Sequence, residues 1–141
     1  MSNSKKKGNE GRFAGIPLVV MESEDYISLN FSSRALLLEL ARQYNRNNNG
    51  KLCATFSQLK PRGWKSEDTL RRCLKELIGA NLLIITKRGM YGKGKREPNF
   101  YALTWQPIDD IPGFEMDVKP TVTPIRKFSL EGRGIRINKA A

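Results

Sequence analysis

Lys87, Arg88, Lys93, Lys95 and Arg96 stand against one acid, Glu97, within eleven residues, and Gly89, Gly92 and Gly94 leave that segment free to bend. Cations at this density neutralise phosphates, and the glycines let such a loop follow a nucleic-acid backbone or enter a minor groove. A charged hairpin tip also protects a sheet edge, which accounts for some of the lysines but less readily for their concentration. Tyr91 and Met90, in the same loop, are able to wedge or stack against bases, or equally to fold back onto the hairpin.

A second group precedes it: Lys65, Ser66, Asp68, Thr69, Arg71, Arg72 and Lys75. With Leu70 at the centre of a buried stripe, rotation by 100° per residue places Lys65, Asp68, Arg72 and Lys75 on the opposite face, with Thr69 and Arg71 on its flanks. Arg72 has the fork geometry for a bidentate contact to guanine, Thr69 the methyl for a thymine contact, and Ser66 a hydroxyl beside helix N-terminal amides for a phosphate. The plainer alternative is an ordinary solvated helix face.

The elements that must position these groups follow from the apolar spacing. Asn30 is a good N-cap, and Leu36, Leu37, Leu40, Ala41 and Tyr44 recur at helical spacing, which predicts a first helix over about 31–44. The Asn-rich stretch 45–50 ends it, and a short strand is expected over 51–54. Thr55 caps a brief second helix, FSQLK, stopped by Pro61 and Gly63. Ser66 then caps a third, EDTLRRCLKELIGA, with Glu67 and Asp68 in its first turn and one stripe of Leu70, Cys73, Leu74, Leu77 and Ile78. Asn81 suits a left-handed C-cap. The runs 82–88 and 99–105 predict a β-hairpin with a long cationic tip, Tyr101, Leu103 and Trp105 on one side of its second strand.

Helix, short strand, short helix, longer helix and hairpin is the order of an α+β winged helix-turn-helix, three helices plus a small antiparallel wing. The expected organisation is a flexible basic arm over 1–12, a DNA-binding domain over 13–105, an extended Pro-containing wrap over 106–125 and a basic tail over 126–141. The apolar run 13–20, broken by Gly15 and Pro17, is expected to be extended. The arms carry Lys5, Lys6, Lys7 and Arg12 at one end and Arg126, Lys127, Arg133, Arg136 and Lys139 at the other. Both arms hold too few large apolar groups to order by themselves.

Composition narrows the chemistry. The 141 residues hold 25 Lys and Arg against 14 Asp and Glu, a net charge of +11, and no His. The absent imidazole excludes Ser-His-Asp and Cys-His nucleophile pairs and His-ligated zinc, while the charge points to a polyanionic partner, nucleic acid or an anionic membrane face. No apolar run approaches the ~20 residues of a membrane span. Cys53 and Cys73 occupy apolar surroundings and are expected as buried free thiols in a reducing cytoplasm. Asp117-Val118-Lys119, after Glu115, has the D-x-K spacing of metal-dependent nucleases, but no multistranded sheet is expected around it. No enzyme, metal or cofactor is therefore expected.

The sequence resembles winged-helix DNA-binding proteins of phages and other mobile elements, including the N-terminal domains of plasmid and phage replication initiators. Ile16-Pro17, Tyr26 and Leu29, Ala35-Leu36-Leu37, the Asn48-Asn49-Gly50 turn, Ser66 with Thr69-Leu70, and Leu77 to Ile84 carry the likeness, over about 13–105. Such domains usually have Gly where this chain has Asn81, and no large C-terminal replication domain is evident. The resemblance implies a non-enzymatic double-stranded DNA binder, nucleoid-associated in the cytoplasm, acting as a transcriptional regulator or replication accessory factor. A homodimer and other replication or transcription proteins are admitted as partners, with no membrane. The alternative is a winged-helix interaction module within a larger nucleoprotein complex, touching nucleic acid without sequence choice.

Overall fold

The computed structural model describes residues 11–92 and 95–131, with only the backbone of residues 91, 92, 95 and 96. Two helical turns, α1 (Leu18–Met21) and α2 (Glu24–Ile27), lead into α3 (Phe31–Gln43). A short α4 (Phe56–Leu59) runs on as a 3-10 turn to Arg62 and is followed by α5 (Glu67–Gly79). Strands β1 (Leu83–Lys87) and β4 (Phe100–Leu103) form an antiparallel hairpin, and β2 (Tyr91–Gly92) and β3 (Lys95–Arg96) continue it toward the tip. The fold is mixed α+β, with helices packed on a two-stranded antiparallel sheet.

The caps explain where the helices start. Thr55 Oγ1 accepts from Gln58 N at 3.3 Å and Ser66 Oγ from Thr69 N at 3.2 Å, each satisfying an amide that the first turn leaves without a partner. At α3 the Asn30 side chain makes no such bond. Glu76, from α5, accepts from Asn30 N at 3.3 Å and from the buried Ser33 hydroxyl, which ties the start of α3 to α5.

The end of α5 is a Schellman motif. Asn81 N donates to Ile78 O and Leu82 N to Leu77 O, with Asn81 at φ 59°. Leu77 and Leu82 are both buried without exposure, giving the apolar contact that accompanies this cap. The chain thereby reverses into β1 at the point Asn81 marks.

The core unites Leu36, Leu37 and Leu40 of α3, Leu59 of α4, Leu70, Cys73 and Leu77 of α5, and Leu83, Tyr101 and Leu103 of the hairpin. Leu74 and Ile78 are only half-buried, so the stripe of α5 is narrower than expected. Cys73 is buried, whereas Cys53 is half-buried, with its Sγ 3.2 Å from Gln58 Oε1.

Three expectations are corrected, and one helical turn is added. Residues 18–21 are helical, not extended: Pro17 O accepts from both Val20 N and Met21 N, and buried Val20 holds the turn down. The turn α2, started by the Ser23 hydroxyl accepting from Tyr26 N, has too short a period to show in the apolar pattern. The strand expected over 51–54 reduces to one bridge, Leu52 to Tyr101, because Gly50 at φ 129° turns the chain in and out of the sheet edge within a few residues. The tail does not begin at 126: Arg126 and Phe128 are buried, and Arg126 N donates to Thr104 O at 3.0 Å.

Between the hairpin and that point, residues 106–125 run over the sheet without regular structure. Asn49, fully buried, fastens them: its Nδ2 donates to the carbonyls of Leu103, Gln106 and Pro107, its Oδ1 accepts from Leu103 N, and its own N–H donates to Asp109 Oδ2. Asp117 N donates to Thr86 O at 2.7 Å and Asp117 Oδ2 accepts from Arg88 N at 2.9 Å, covering the edge of β1.

Candidate nucleic-acid interface

The face of α5 opposite its core stripe is open. Lys65, Ser66, Asp68, Arg71, Arg72 and Lys75 are exposed and Thr69 is half-buried, as the 100° rotation requires. Arg71 and Asp68 form an exposed ion pair at 2.9 Å, so part of that charge is internally balanced, and screening makes such a pair weak. Arg72 reaches only Thr69 Oγ1, at 3.3 Å, and has no carboxylate partner among the described residues. Ser66 Oγ accepts the cap bond, which leaves its proton free to donate.

The hairpin root faces α4 and α5 across a cleft of about 680 Å3, lined by Phe56 and Lys60 of the α4 region, Leu70, Arg71 and Leu74 of α5, and Glu97 and Pro98 beyond β3. The helix face and the hairpin therefore flank one groove. Gly89 fixes the root: a Cβ there would lie 1.9 Å from Glu97 O. Its N–H donates to Asn99 Oδ1 at 2.6 Å, and Glu97 N donates to Met90 O at 2.9 Å.

Of the residues expected in a wing, Arg88 is exposed, while Lys87 is half-buried with its ammonium 5.1 Å from the Phe114 ring. Lys51 lies at the same distance from that ring, and Phe100 packs edge-on against it at 5.0 Å. A π face attracts cations, so Phe114 gathers two lysines distant in sequence. Lys51 was not singled out from the sequence, and no local pattern reveals it. Lys93 lies outside the described residues, as do the side chains of Tyr91, Lys95 and Arg96.

The arms divide. Lys5, Lys6, Lys7, Arg133, Arg136 and Lys139 lie outside the described residues. Lys127 is exposed. Arg12 lies against the end of α3, its Nη2 3.5 Å from Tyr44 O. Arg126, expected in the tail, is instead engaged within the fold: it is only 8% exposed and donates to Asp25 at 2.7 Å, to both oxygens of Glu131 at 2.9 Å, and to Ala80 O and Asn81 O. Burial works against its charge, but the hydrogen bonds and charges of Glu131 and Asp25 prevail and hold its pKa above the usual arginine value.

Among the described residues no three His, Cys, Asp or Glu side chains gather as a metal site, and Asp117 of the D-x-K string serves the Arg88 amide. Among the described residues no helix is long and apolar enough to cross a membrane.

No protein-family model and no curated protein matches this chain. It is similar to a solved structure described as "Structure of Rep-DNA complex", at 22% identity over 89% of each chain and a TM-score of 0.46.

Proposed function

We propose that this chain is a non-enzymatic winged-helix protein of double-stranded DNA, with the outer face of α5 in the major groove and the β1 to β4 hairpin as the wing on the flanking backbone. The supporting observation is that exposed Lys65, Arg72 and Lys75 share the face of α5 turned away from the core, beside the hairpin root across a common cleft. Base contacts would come from Arg72 and Thr69, and phosphate contacts from Ser66, Lys75, Arg88 and the basic hairpin tip. A role in replication or transcription of a phage or other mobile element fits this chemistry.

Binding to a random duplex pool and to the fragments selected from it, followed by salt titration, tests the proposal. Arg72→Ala should lower the preference for selected over random duplex by about 1 to 3 kcal/mol, whereas Arg88→Ala should weaken both alike and lower the salt slope by about one. Equal loss in both variants, with the preference unchanged, would reject this assignment of the faces.

A second reading has its own observation: Ile27, Phe31 and Leu38 are exposed around the outer face of α3, Phe31 by 79%. An interaction module using that face would bind selected and random duplex equally.

A further inference from the structure

Outside the helix and wing, most arginines are already engaged. Arg42 and Arg62 pair with Glu39, Arg126 with Asp25 and Glu131, and Arg34 donates to Ile27 O and stacks on the Tyr26 and Phe31 rings. Arg12 and Arg46 differ: among the described residues neither has a carboxylate within ion-pairing distance, and both line one open cleft of about 700 Å3 between the segment 11–17 and the end of α3. Phe13, Tyr44, Asn45 and Gln106 complete its lining.

The turn that carries Arg46 is held in place. Arg46 sits at φ 78°, a left-handed conformation that an arginine seldom adopts. Asparagine side chains staple it there: Asn45 Oδ1 accepts from Asn47 N, Asn48 Oδ1 accepts from Asn45 N, and Asn48 Nδ2 donates to Gln43 O, all at 2.8 to 2.9 Å. The Asn-rich stretch thus fixes the backbone turn from which the exposed Arg46 side chain projects. The acid that influences this region, Asp109, receives Asn49 N and does not line the cleft. Burial, with the Asp109 charge, raises the Tyr44 phenol pKa while Arg46 opposes the rise, so Tyr44 offers a neutral hydroxyl.

Two guanidiniums with a phenol and amides around one opening, and no carboxylate among the described lining residues to balance them, are complementary to a phosphate ester, the oxyanion whose geometry guanidinium forks match. We infer that this cleft is a second phosphate-binding site, separate from the recognition helix and wing. Its ligand is either a DNA backbone phosphate beyond their footprint, which rests on the proposed DNA binding, or the phosphates of a free nucleotide, which does not; Phe13 on the rim offers a ring for the base.

Amide NMR of the full chain, followed at Ala41, Tyr44 and Asn45, tests this with two probes: a random-sequence duplex and deoxyadenosine triphosphate. The inference holds if one probe moves these amides saturably in the wild-type chain and its apparent affinity falls at least about tenfold in Arg12→Gln with Arg46→Asn, the asparagine tolerating the left-handed backbone. If the duplex is the ligand, the salt slope also falls by about one, for one phosphate lost. Arg46→Lys alone, which keeps the charge, should retain saturable binding and guards against a folding artefact. Duplex binding that leaves these amides unmoved, with no response to the triphosphate, overturns the inference while sparing the proposed function. Saturation by the triphosphate without duplex binding does the reverse.

Discussion

Arg126→Met removes the guanidinium while keeping an unbranched apolar side chain over the Phe128 ring, whose centre is 4.1 Å from the guanidinium carbon. The variant loses bonds to Asp25, Glu131, Ala80 O and Asn81 O together. Breaking a buried ion pair by removing one partner costs about 3 to 5 kcal/mol. Asp25 and Glu131 keep 29% and 26% of their side-chain exposure and are able to rehydrate, which places the expected loss near the lower end, about 3 kcal/mol. For a domain of this size that is roughly a 10 °C fall in Tm. Arg126→Lys should recover only part of it, since one ammonium cannot serve two carboxylates and two carbonyls in plane. Thermal unfolding by circular dichroism measures the loss, and a salt titration of duplex binding on the same variants measures any phosphate contact. A Tm within about 2 °C of wild type, together with a salt slope lowered by about one, would refute the reasoning and return Arg126 to the nucleic-acid contacts.

Leu77→Ala should cost about 2 to 5 kcal/mol in urea unfolding, because Leu77 is fully buried, whereas half-exposed Leu74→Ala should cost clearly less; equal losses would mean that α5 is rotated. Gly89→Ala drives a Cβ into Glu97 O and should destabilise the hairpin root by about 1 to 3 kcal/mol. Amide exchange would show this as lost protection of Gly89 and Glu97 with Leu36 and Leu77 still protected, and unchanged protection at the root would contradict it. Burial raises the Cys53 thiol above its ordinary 9.0, and burial with Asp109 raises the Tyr44 phenol above 10.0. The fold therefore favours their neutral forms, so their contribution is intact below those ordinary values and is lost as pH rises through the raised ones. Urea midpoints should fall at alkaline pH, less steeply in Cys53→Ser, and a rise would contradict the sign.

The helices that carry the candidate interface were legible because their signals are local. Leu36, Leu37 and Leu40 fall at helical spacing, Thr55 and Ser66 are caps that act within three residues, and Asn81 is one of the few residues at ease with positive φ. What escaped depends on partners distant in sequence. Arg126 reads as one more cation in a basic tail until Asp25, a hundred residues earlier, lies beside it. Asn49 reads as one of several loop asparagines until the carbonyls of 103, 106 and 107 converge on it. Lys51 becomes part of the interface question only because Phe114 draws it and Lys87 to one ring. Asn30 was the reverse case: a good cap by type and at the cap position, yet its side chain makes no capping bond and its own amide is held by distant Glu76.

These long-range contacts converge on the rear of α5. Glu76 ties the helix to the start of α3, the Schellman turn closes its last carbonyls, and Arg126 occupies the next two, those of Ala80 and Asn81, while joined to Asp25 of α2 and to Glu131, the last described residue. The front, from Lys65 to Arg72, is held by the Ser66 cap and the Leu70 anchor and is otherwise open. Side chains that must meet base edges within a fraction of an ångström need a helix whose axis does not shift when they engage. If the exposed face of α5 reads base edges as proposed, clamping its far end would supply that rigidity without occupying any group on that face, and buried Arg126 would act through the helix that presents Arg72 and Thr69.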